Sequence, residues 1–153
     1  MDHYPEIVTE RFDDANLHIN YCLKFFRNYL KGNILEVGAG CGSFTRNYLN
    51  KDIDSLTLTE QDDRNFFDLK KKFEKNSKVK VIKKNIHEID QKFDTIIYLH
   101  VLEHIENDER EIREATKRLN NNGMLIIMVP AHQKLYSELD RVIGHYRSCL
   151  LYT

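Results

Sequence analysis

The stretch ILEVGAGCGSFT at residues 34–45 decides the fold. Ile34 to Val37 is apolar enough for a buried strand, and a Gly-x-Gly-x-Gly turn follows it at Gly38, Gly40 and Gly42. A glycine-rich turn between a strand and a helix brings the backbone close to a nucleotide. An acid, Glu36, stands inside the strand. The stretch therefore predicts a nucleotide-binding α/β domain.

Composition limits the class of protein. The 153 residues are enough for one domain, and 41% hydrophobic with 31% charged residues is typical of a globular chain. The formal net charge of -1 gives no electrostatic reason for nucleic-acid or membrane binding. The three cysteines have no Cys-x-x-Cys spacing, and no cluster has the spacing of metal ligands, so neither a disulfide framework nor a metal site is predicted.

The first residues and the longest apolar run predict where the protein resides. The first residues lack the pattern of a signal peptide. The longest apolar run, 124–129, is too short to cross a bilayer. A soluble cytoplasmic protein is expected.

Strand and helix patterns alternate along the chain. Apolar spacing predicts helices over 19–30, 44–49, 62–75 and 108–119, and strands over 34–37, 55–59, 78–83, 93–99 and 124–129. Gly32 is expected to end the first helix, Asp108 and Glu111 to form a capping box, and Gly123 to follow the last helix. This alternation predicts a doubly wound, mostly parallel sheet with helices on both faces.

Two strands have opposite characters. The third, KVKVIK, carries lysines that suit a sheet edge, and the eight lysines between 70 and 84 predict a solvated surface. The fifth, MLIIMV, is apolar throughout and predicts an interior strand.

The details of the turn separate two nucleotide classes. A dinucleotide-binding turn has a third glycine where this chain has Ser43. Glu36 would repel a pyrophosphate and suit a cationic ligand. Glu60, at the end of the second strand, could accept hydrogen bonds from ribose hydroxyls in either class.

Several motifs in order resemble the class I S-adenosylmethionine-dependent methyltransferases of the type 11/12 group. They are LEVGAGCGSFT, Glu60 at the second strand end, and FDTIIYLHVLEHIEND around the fourth strand, and the resemblance covers roughly residues 15–147. It implies a Rossmann-like sheet of order 3-2-1-4-5 and S-adenosylmethionine as cofactor. The tail VPAHQKLYSELDRVIGHYR resembles a subgroup found among lipid, sugar and cell-envelope genes.

The resemblance implies a set of cofactor-binding positions. The turn would approach the methionine part and the ribose, an acid would face the cationic end, a second acid would hold the ribose hydroxyls, and two residues after the third strand would contact adenine. These positions are Glu36, Gly38, Ala39, Gly40, Gly42, Glu60, Asn85, Ile86 and Leu99. The last of them ends the fourth strand, where its backbone would face the methionine moiety.

The resemblance also suggests where a base would lie. His100 is the candidate general base, with His145 behind it, and His104 is expected to pack or to hydrogen-bond locally. Tyr136, Asp140, His145 and Arg147 either line an acceptor site or pair on a surface helix.

The resemblance ends near residue 147. The family fold normally adds two strands beside the fifth, and the remaining residues do not predict them, so we expect a C-terminally truncated single domain (1–32 helical, 33–130 core, 131–153 partial acceptor side). The uncovered fifth strand then predicts a homodimer, aggregation, or cover by the last residues. Three functions stay open: methyl transfer to a small-molecule, lipid or sugar acceptor; a silent S-adenosylmethionine-binding remnant or partner subunit; and a nicotinamide-binding domain.

Overall fold

A computed structural model describes residues 16–49, 53–130 and 137–147 of the chain. The helices are α1 (Asn16–Phe26), α2 (Ser43–Tyr48), α3 (Asp63–Phe73), α4 (Asp108–Lys117) and α5 (Glu138–Val142). The strands are β1 (Gly32–Val37), β2 (Ile53–Thr59), β3 (Val79–Ile82), β4 (Phe93–Leu99) and β5 (Leu119–Met128). Single 3-10 turns cover Arg27–Tyr29, Ile86–Glu88 and Leu102–His104. Among these described elements, no helix combines the length and apolarity that crossing a bilayer requires.

The five strands form one parallel sheet of order β3-β2-β1-β4-β5. β1 is central, and its Ile34 lies opposite Leu56 of β2 and Thr95 of β4. Because every strand runs the same way, all five carboxyl ends lie at one edge of the sheet, where parallel α/β sheets bind their ligands. The predicted fold class and strand order are confirmed.

Alternate residues of the strands build two cores. On one face, Ile34 and Ile97 pack with buried side chains of α1, α2 and α3. On the other face, Leu35 and Tyr98 pack with Ala115 of α4. The period of two along a strand therefore explains why β1 is buried on both sides and is apolar almost throughout.

One carboxylate fastens the amino ends of three strands. Asp94 at the start of β4 accepts from the Asn33 backbone N–H at 2.8 Å and from the Asn120 side-chain amide at 2.8 Å. The hydrogen bond from the Asn33 backbone is the main reason that the pKa of Asp94 is lowered. This end of the sheet is closed by local polar contacts, and the opposite end carries the candidate site.

Two local expectations about helix ends differ from the structure. α1 ends at Phe26 and a 3-10 turn follows it, so Gly32, with φ +71°, opens β1 instead of ending the helix. α4 is capped by Asn107, whose Oδ1 accepts from Arg110 N at 3.0 Å, and not by Asp108. The cap lies one residue earlier because Asp108 is already helical, and there its carboxylate pairs with Arg147.

The fifth strand is longer than expected and lies at an edge. β5 begins at Leu119, so Gly123 lies inside it, at a register irregularity opposite the start of β4. Its apolar sequence predicts an interior strand, yet in the described part of the chain β5 pairs only with β4, and Met124 is exposed. β3, with its lysines, is the other edge, as expected. Association through β5 stays a prediction.

Candidate functional site

Three hydrogen bonds fasten the glycine turn to the end of β2. Gly38 N donates to Thr59 Oγ1 at 3.2 Å, and Ala39 N donates to the Thr59 carbonyl at 2.9 Å. Gly40 N donates to Glu60 Oε2 at 2.7 Å. The turn after β1 is therefore positioned by the neighbouring strand and not only by its own helix.

Glu60 is held by backbone amides on both of its oxygens. Besides the bond from Gly40, its Oε1 accepts from Gln61 N and Asp62 N, each at 2.8 Å. The residue is 8% exposed. Three N–H donors fix the carboxylate at the carboxyl edge of the sheet. The role of Glu60 as a ribose ligand stays a prediction.

The three glycines of the turn have different reasons to be glycine. All have positive φ, at +67° for Gly38, +55° for Gly40 and +76° for Gly42. A Cβ on Gly38 would lie 2.8 Å from the Val101 side chain, and one on Gly42 would lie 2.7 Å from Leu69. For Gly38 and Gly42, internal packing alone excludes a side chain.

Gly40 faces open space. A Cβ built on it has no atom of the described chain within 4 Å. A side chain there would fill the space above the turn, next to the carboxylate of Glu60. This open backbone face is what a nucleotide-type cofactor needs in order to lie against the turn, so these residues fit the cofactor that the resemblance implies.

Glu36 lies beneath the turn, inside the core. It is 2% exposed, and its Oε2 accepts from Thr45 Oγ1 at 2.6 Å and from the Tyr48 hydroxyl of α2. Burial raises the pKa of Glu36 to about 7, although hydrogen bonds from Thr45 and Tyr48 act in the opposite direction. The acid expected to face a cationic ligand is therefore also a structural link between β1 and α2.

The remaining cofactor candidates differ in exposure. Asn85 is exposed, and its N–H donates to Glu88 Oε2 at 2.7 Å as the turn Ile86–Glu88 begins. Ile86 is 1% exposed and packs in the core on the α4 side. Leu99 ends β4, with its side chain in the opposite core. All three lie at or just beyond carboxyl ends of strands.

His100 has an unusual backbone and a buried nitrogen. It follows β4 with φ +58°, a conformation uncommon outside glycine and often found where function fixes the backbone. Its Nδ1 lies 3.5 Å from Glu103 Oε1, and its ring faces Phe44 of α2 with centroids 6.1 Å apart. Within the described residues, the buried His100 Nε2 has no hydrogen-bond partner.

A second group of polar side chains forms where the 3-10 turn Leu102–His104 meets the segment 137–147. His145 Nδ1 is 2.9 Å from Asp140 Oδ1, and His104 Nδ1 is 3.2 Å from the Gly144 carbonyl. The rings of His104 and His145 meet edge to face, with centroids 4.5 Å apart. Glu103 is 1% exposed and lies beside both histidines.

Arg147 fastens this group to the start of α4. Its guanidinium contacts Asp108 Oδ2 at 2.5 Å and the carbonyls of Ile105 and Glu106 at 2.9 and 2.7 Å. Of the four residues expected either to line an acceptor site or to pair, the structure pairs Asp140 with His145 and Arg147 with Asp108. Tyr136 lies outside the described residues.

The sequence reasoning passed over three residues that shape the site. Thr45 and Tyr48, three residues apart on α2, donate hydrogen bonds to Glu36. Two hydroxyl groups on the buried face of a helix were the sequence signal that could have indicated this role. Glu103 lies within the motif FDTIIYLHVLEHIEND, and the sequence predicts no role for it. An acid between Leu102 and Ile105, both apolar, is the pattern that marks it.

Gly40 and Gly42 can be compared to distinguish a glycine required by internal packing from one that faces open space. We expect Gly42→Ala to lower the free energy of unfolding by about 1–3 kcal/mol more than Gly40→Ala. Both substitutions place a Cβ on a residue with positive φ, but only the Cβ at position 42 would clash with the Leu69 side chain. Urea denaturation of the two variants measures the difference. Equal losses of stability would show that the packing around Gly42 adapts without cost.

Glu36 should make stability depend on pH in an identifiable direction. Its pKa is raised from 4.5 to about 7, so between these values the folded chain holds a proton that the unfolded chain has lost. Stability should therefore rise as pH falls from 7 to 4.5, by about 3 kcal/mol in total. Urea unfolding of the wild type and Glu36→Gln across this range should give a difference that varies with pH.

The matched control for this measurement is Glu74→Gln, since Glu74 is exposed at the end of α3. Its difference from the wild type should stay flat over the same range. A flat difference for Glu36→Gln as well would show that Glu36 titrates normally in the folded chain.

Comparison with known proteins agrees with this geometry. The sequence profile of a family described as "Methyltransferase domain" (Methyltransf_12) matches residues 35–125, more than half of the chain. A ubiquinone biosynthesis O-methyltransferase of Rickettsia bellii is 26% identical over 117 residues, which are 72% of this chain and 49% of that protein. The chain thus spans about half the length of the curated relatives that it matches.

Solved structures share the fold. The N-methyltransferase NodS of Bradyrhizobium japonicum, in complex with S-adenosyl-l-homocysteine, superposes with a TM-score of 0.68 at 20% identity, covering 88% of this chain and 68% of that one. Coclaurine N-methyltransferase superposes with a TM-score of 0.62 at 19% identity, covering 75% and 35%. With its profile match and its S-adenosylmethionine-binding methyltransferase fold, the chain belongs to the class I S-adenosylmethionine-dependent methyltransferase family.

Proposed function

We propose that this chain, as one domain over 1–153, binds S-adenosylmethionine and transfers its methyl group to an oxygen or nitrogen of a small-molecule, lipid or sugar acceptor. The observation that carries the proposal is the open backbone face of Gly40 beside the fixed carboxylate of Glu60. The names of similar proteins, a ubiquinone biosynthesis O-methyltransferase and two N-methyltransferases, support oxygen or nitrogen as the methylated atom.

Glu60 is the proposed ribose ligand. A carboxylate offers about four lone-pair positions, and three of them already accept backbone N–H groups. One lone-pair position on the carboxylate is left for the first ribose hydroxyl. The second hydroxyl would have to share a position that now accepts from Gly40, Gln61 or Asp62. The hydrogen bond from Gly40 is the one that lies at the open face, so we expect cofactor binding to loosen it.

Glu36 supports the cofactor through charge. Its carboxyl is 2% exposed beneath the turn and is already bonded to Thr45 and Tyr48, so its negative charge would act on the cationic end of the ligand from behind the backbone. The backbone of Gly38, Ala39, Gly40 and Gly42 completes this part of the site. Asn85, Ile86 and Leu99 are the proposed adenine and methionine contacts.

His100 is the proposed general base. The cofactor supplies a methyl group already activated on a positively charged sulfur, so the protein has to orient the acceptor and remove its proton where it carries one. A proton on His100 Nδ1 would face Glu103 Oε1, 3.5 Å away, and would leave the lone pair on Nε2 as the basic position. Because Nε2 is buried in this structure, the ring has to turn outward before it can take the acceptor's proton. His145, whose side chain also lies near Glu103, is the second candidate.

Cofactor binding is tested by titration calorimetry. We expect S-adenosylmethionine and S-adenosylhomocysteine to bind and NAD to give no heat. Glu60→Gln should weaken binding about 10- to 100-fold, since hydrogen bonds to a charged group contribute about 1.5–3 kcal/mol, and Gly40→Val should abolish binding because its side chain would occupy the open face.

Glu74→Gln is the matched control and should bind like the wild type, because Glu74 is exposed at the end of α3. Circular dichroism establishes that each variant is folded. NAD binding without a response to S-adenosylmethionine would overturn the cofactor assignment. An unchanged dissociation constant in folded Glu60→Gln would remove Glu60 from the site.

Turnover is a separate question because the chain spans 49% of its curated relative. The alternative function is a domain that binds S-adenosylmethionine without methyl transfer. Release of S-adenosylhomocysteine, measured with small hydroxyl- and amine-bearing acceptors, lipids and sugars, distinguishes the two. We expect release that depends on the acceptor and falls about 10²- to 10⁴-fold in His100→Ala. Binding with no acceptor-dependent release would favour the alternative.

A further inference from the structure

The fold brings together three side chains of metal-ligand type that are far apart in the sequence. One ligand atom from each of Glu103, His104 and His145 lies within 4.8 Å of the other two. Glu103 and His104 are adjacent in a 3-10 turn after β4, whereas His145 follows α5, so no motif spacing predicts the group. We call these three residues the Glu-His-His cluster.

One buried carboxylate oxygen of the cluster, Glu103 Oε2, suggests what the cluster binds. Glu103 is 1% exposed, and its Oε2 has no hydrogen-bond partner within the described residues. A carboxylate oxygen withdrawn from water without a donor or a cation is costly, so such an atom calls for an explanation. Because Glu103 Oε1 lies towards His100, Oε2 is the oxygen left to meet a cation.

Both imidazoles are oriented as metal ligands are. His145 Nδ1 faces Asp140 Oδ1 at 2.9 Å, and His104 Nδ1 faces the Gly144 carbonyl at 3.2 Å. A proton on each Nδ1 would leave each Nε2 with the lone pair that a metal ion requires. A ligating histidine typically donates its other N–H to a carboxylate or a backbone carbonyl, and the cluster contains one example of each.

From these observations we propose that the Glu-His-His cluster binds a divalent transition-metal ion, with Zn²⁺ as the best match. Two imidazoles and one carboxylate suit Zn²⁺ or a neighbouring first-row metal and are a poor set for Mg²⁺, which requires oxygen ligands. Bonds of about 2.0–2.2 Å place ligand atoms about 3–4 Å apart around one ion. The three ligand atoms of the cluster, now within 4.8 Å of one another, therefore need to move only slightly closer together.

The ion would keep at least one open coordination position. Three protein ligands with a fourth position free is the arrangement of catalytic zinc sites, whereas structural sites are closed by four. Glu103 is buried, and the two histidines are only partly exposed. The proposal does not depend on cofactor binding or on methyl transfer.

The test uses the full chain, stripped of metal by a chelator and titrated with Zn²⁺ by calorimetry. We expect one high-affinity Zn²⁺ per chain and no comparable binding of Mg²⁺. Glu103→Gln and His145→Gln should each weaken Zn²⁺ binding at least tenfold. Asp140→Asn, which removes the carboxylate that His145 Nδ1 faces, should weaken it about 10- to 100-fold as a positioning residue.

His87→Gln is the matched control, since His87 is exposed in the turn Ile86–Glu88 and lies outside the cluster. It should leave Zn²⁺ binding unchanged. A second measurement on the wild type uses Co²⁺, whose visible spectrum reports nitrogen and oxygen ligation and should disappear when Zn²⁺ displaces it. Absence of stoichiometric Zn²⁺ binding, or equal binding by folded Glu103→Gln and His145→Gln, would overturn the proposal.

Discussion

The hydrogen bonds between the glycine turn and the end of β2 are the constraint on which the site depends. Thr59 and Glu60 receive the N–H groups of three consecutive residues, Gly38, Ala39 and Gly40, over distances of 2.7–3.2 Å. Such a turn has positive φ at alternate positions and little rigidity of its own. Fastened to a buried strand, it presents one open face in a fixed place.

The two acids of the site show how differently one residue type can be used. Glu60 accepts from backbone N–H groups at the carboxyl edge of the sheet, where a ligand can reach it. Glu36 is enclosed between β1 and α2, accepts from the hydroxyl groups of Thr45 and Tyr48, and has its pKa raised to about 7 by burial. One is therefore a candidate contact, and the other a charge that the protein can keep or neutralise according to what lies above the turn.

The fold was predictable from the sequence because its signals are local. Apolar periodicity located the strands and helices, and the resemblance supplied the strand order. Errors arose where a contact between distant residues decides the outcome: Asp108 pairs with Arg147 and leaves capping to Asn107. The meeting of Glu103 with His145 is the same case, since it depends on how the segment after α5 returns to β4.

The way in which residues 137–147 are attached has a kinetic consequence. The attachments described for this segment are polar: Arg147 to Asp108 and to two carbonyls, His104 to Gly144, and Tyr146 N to the Glu103 carbonyl at 2.7 Å. The sheet, in contrast, is closed by two apolar cores. A segment held by polar contacts exchanges its amide hydrogens through local opening well below the free energy of global unfolding. This part of the chain can therefore detach and return many times during the lifetime of one folded sheet.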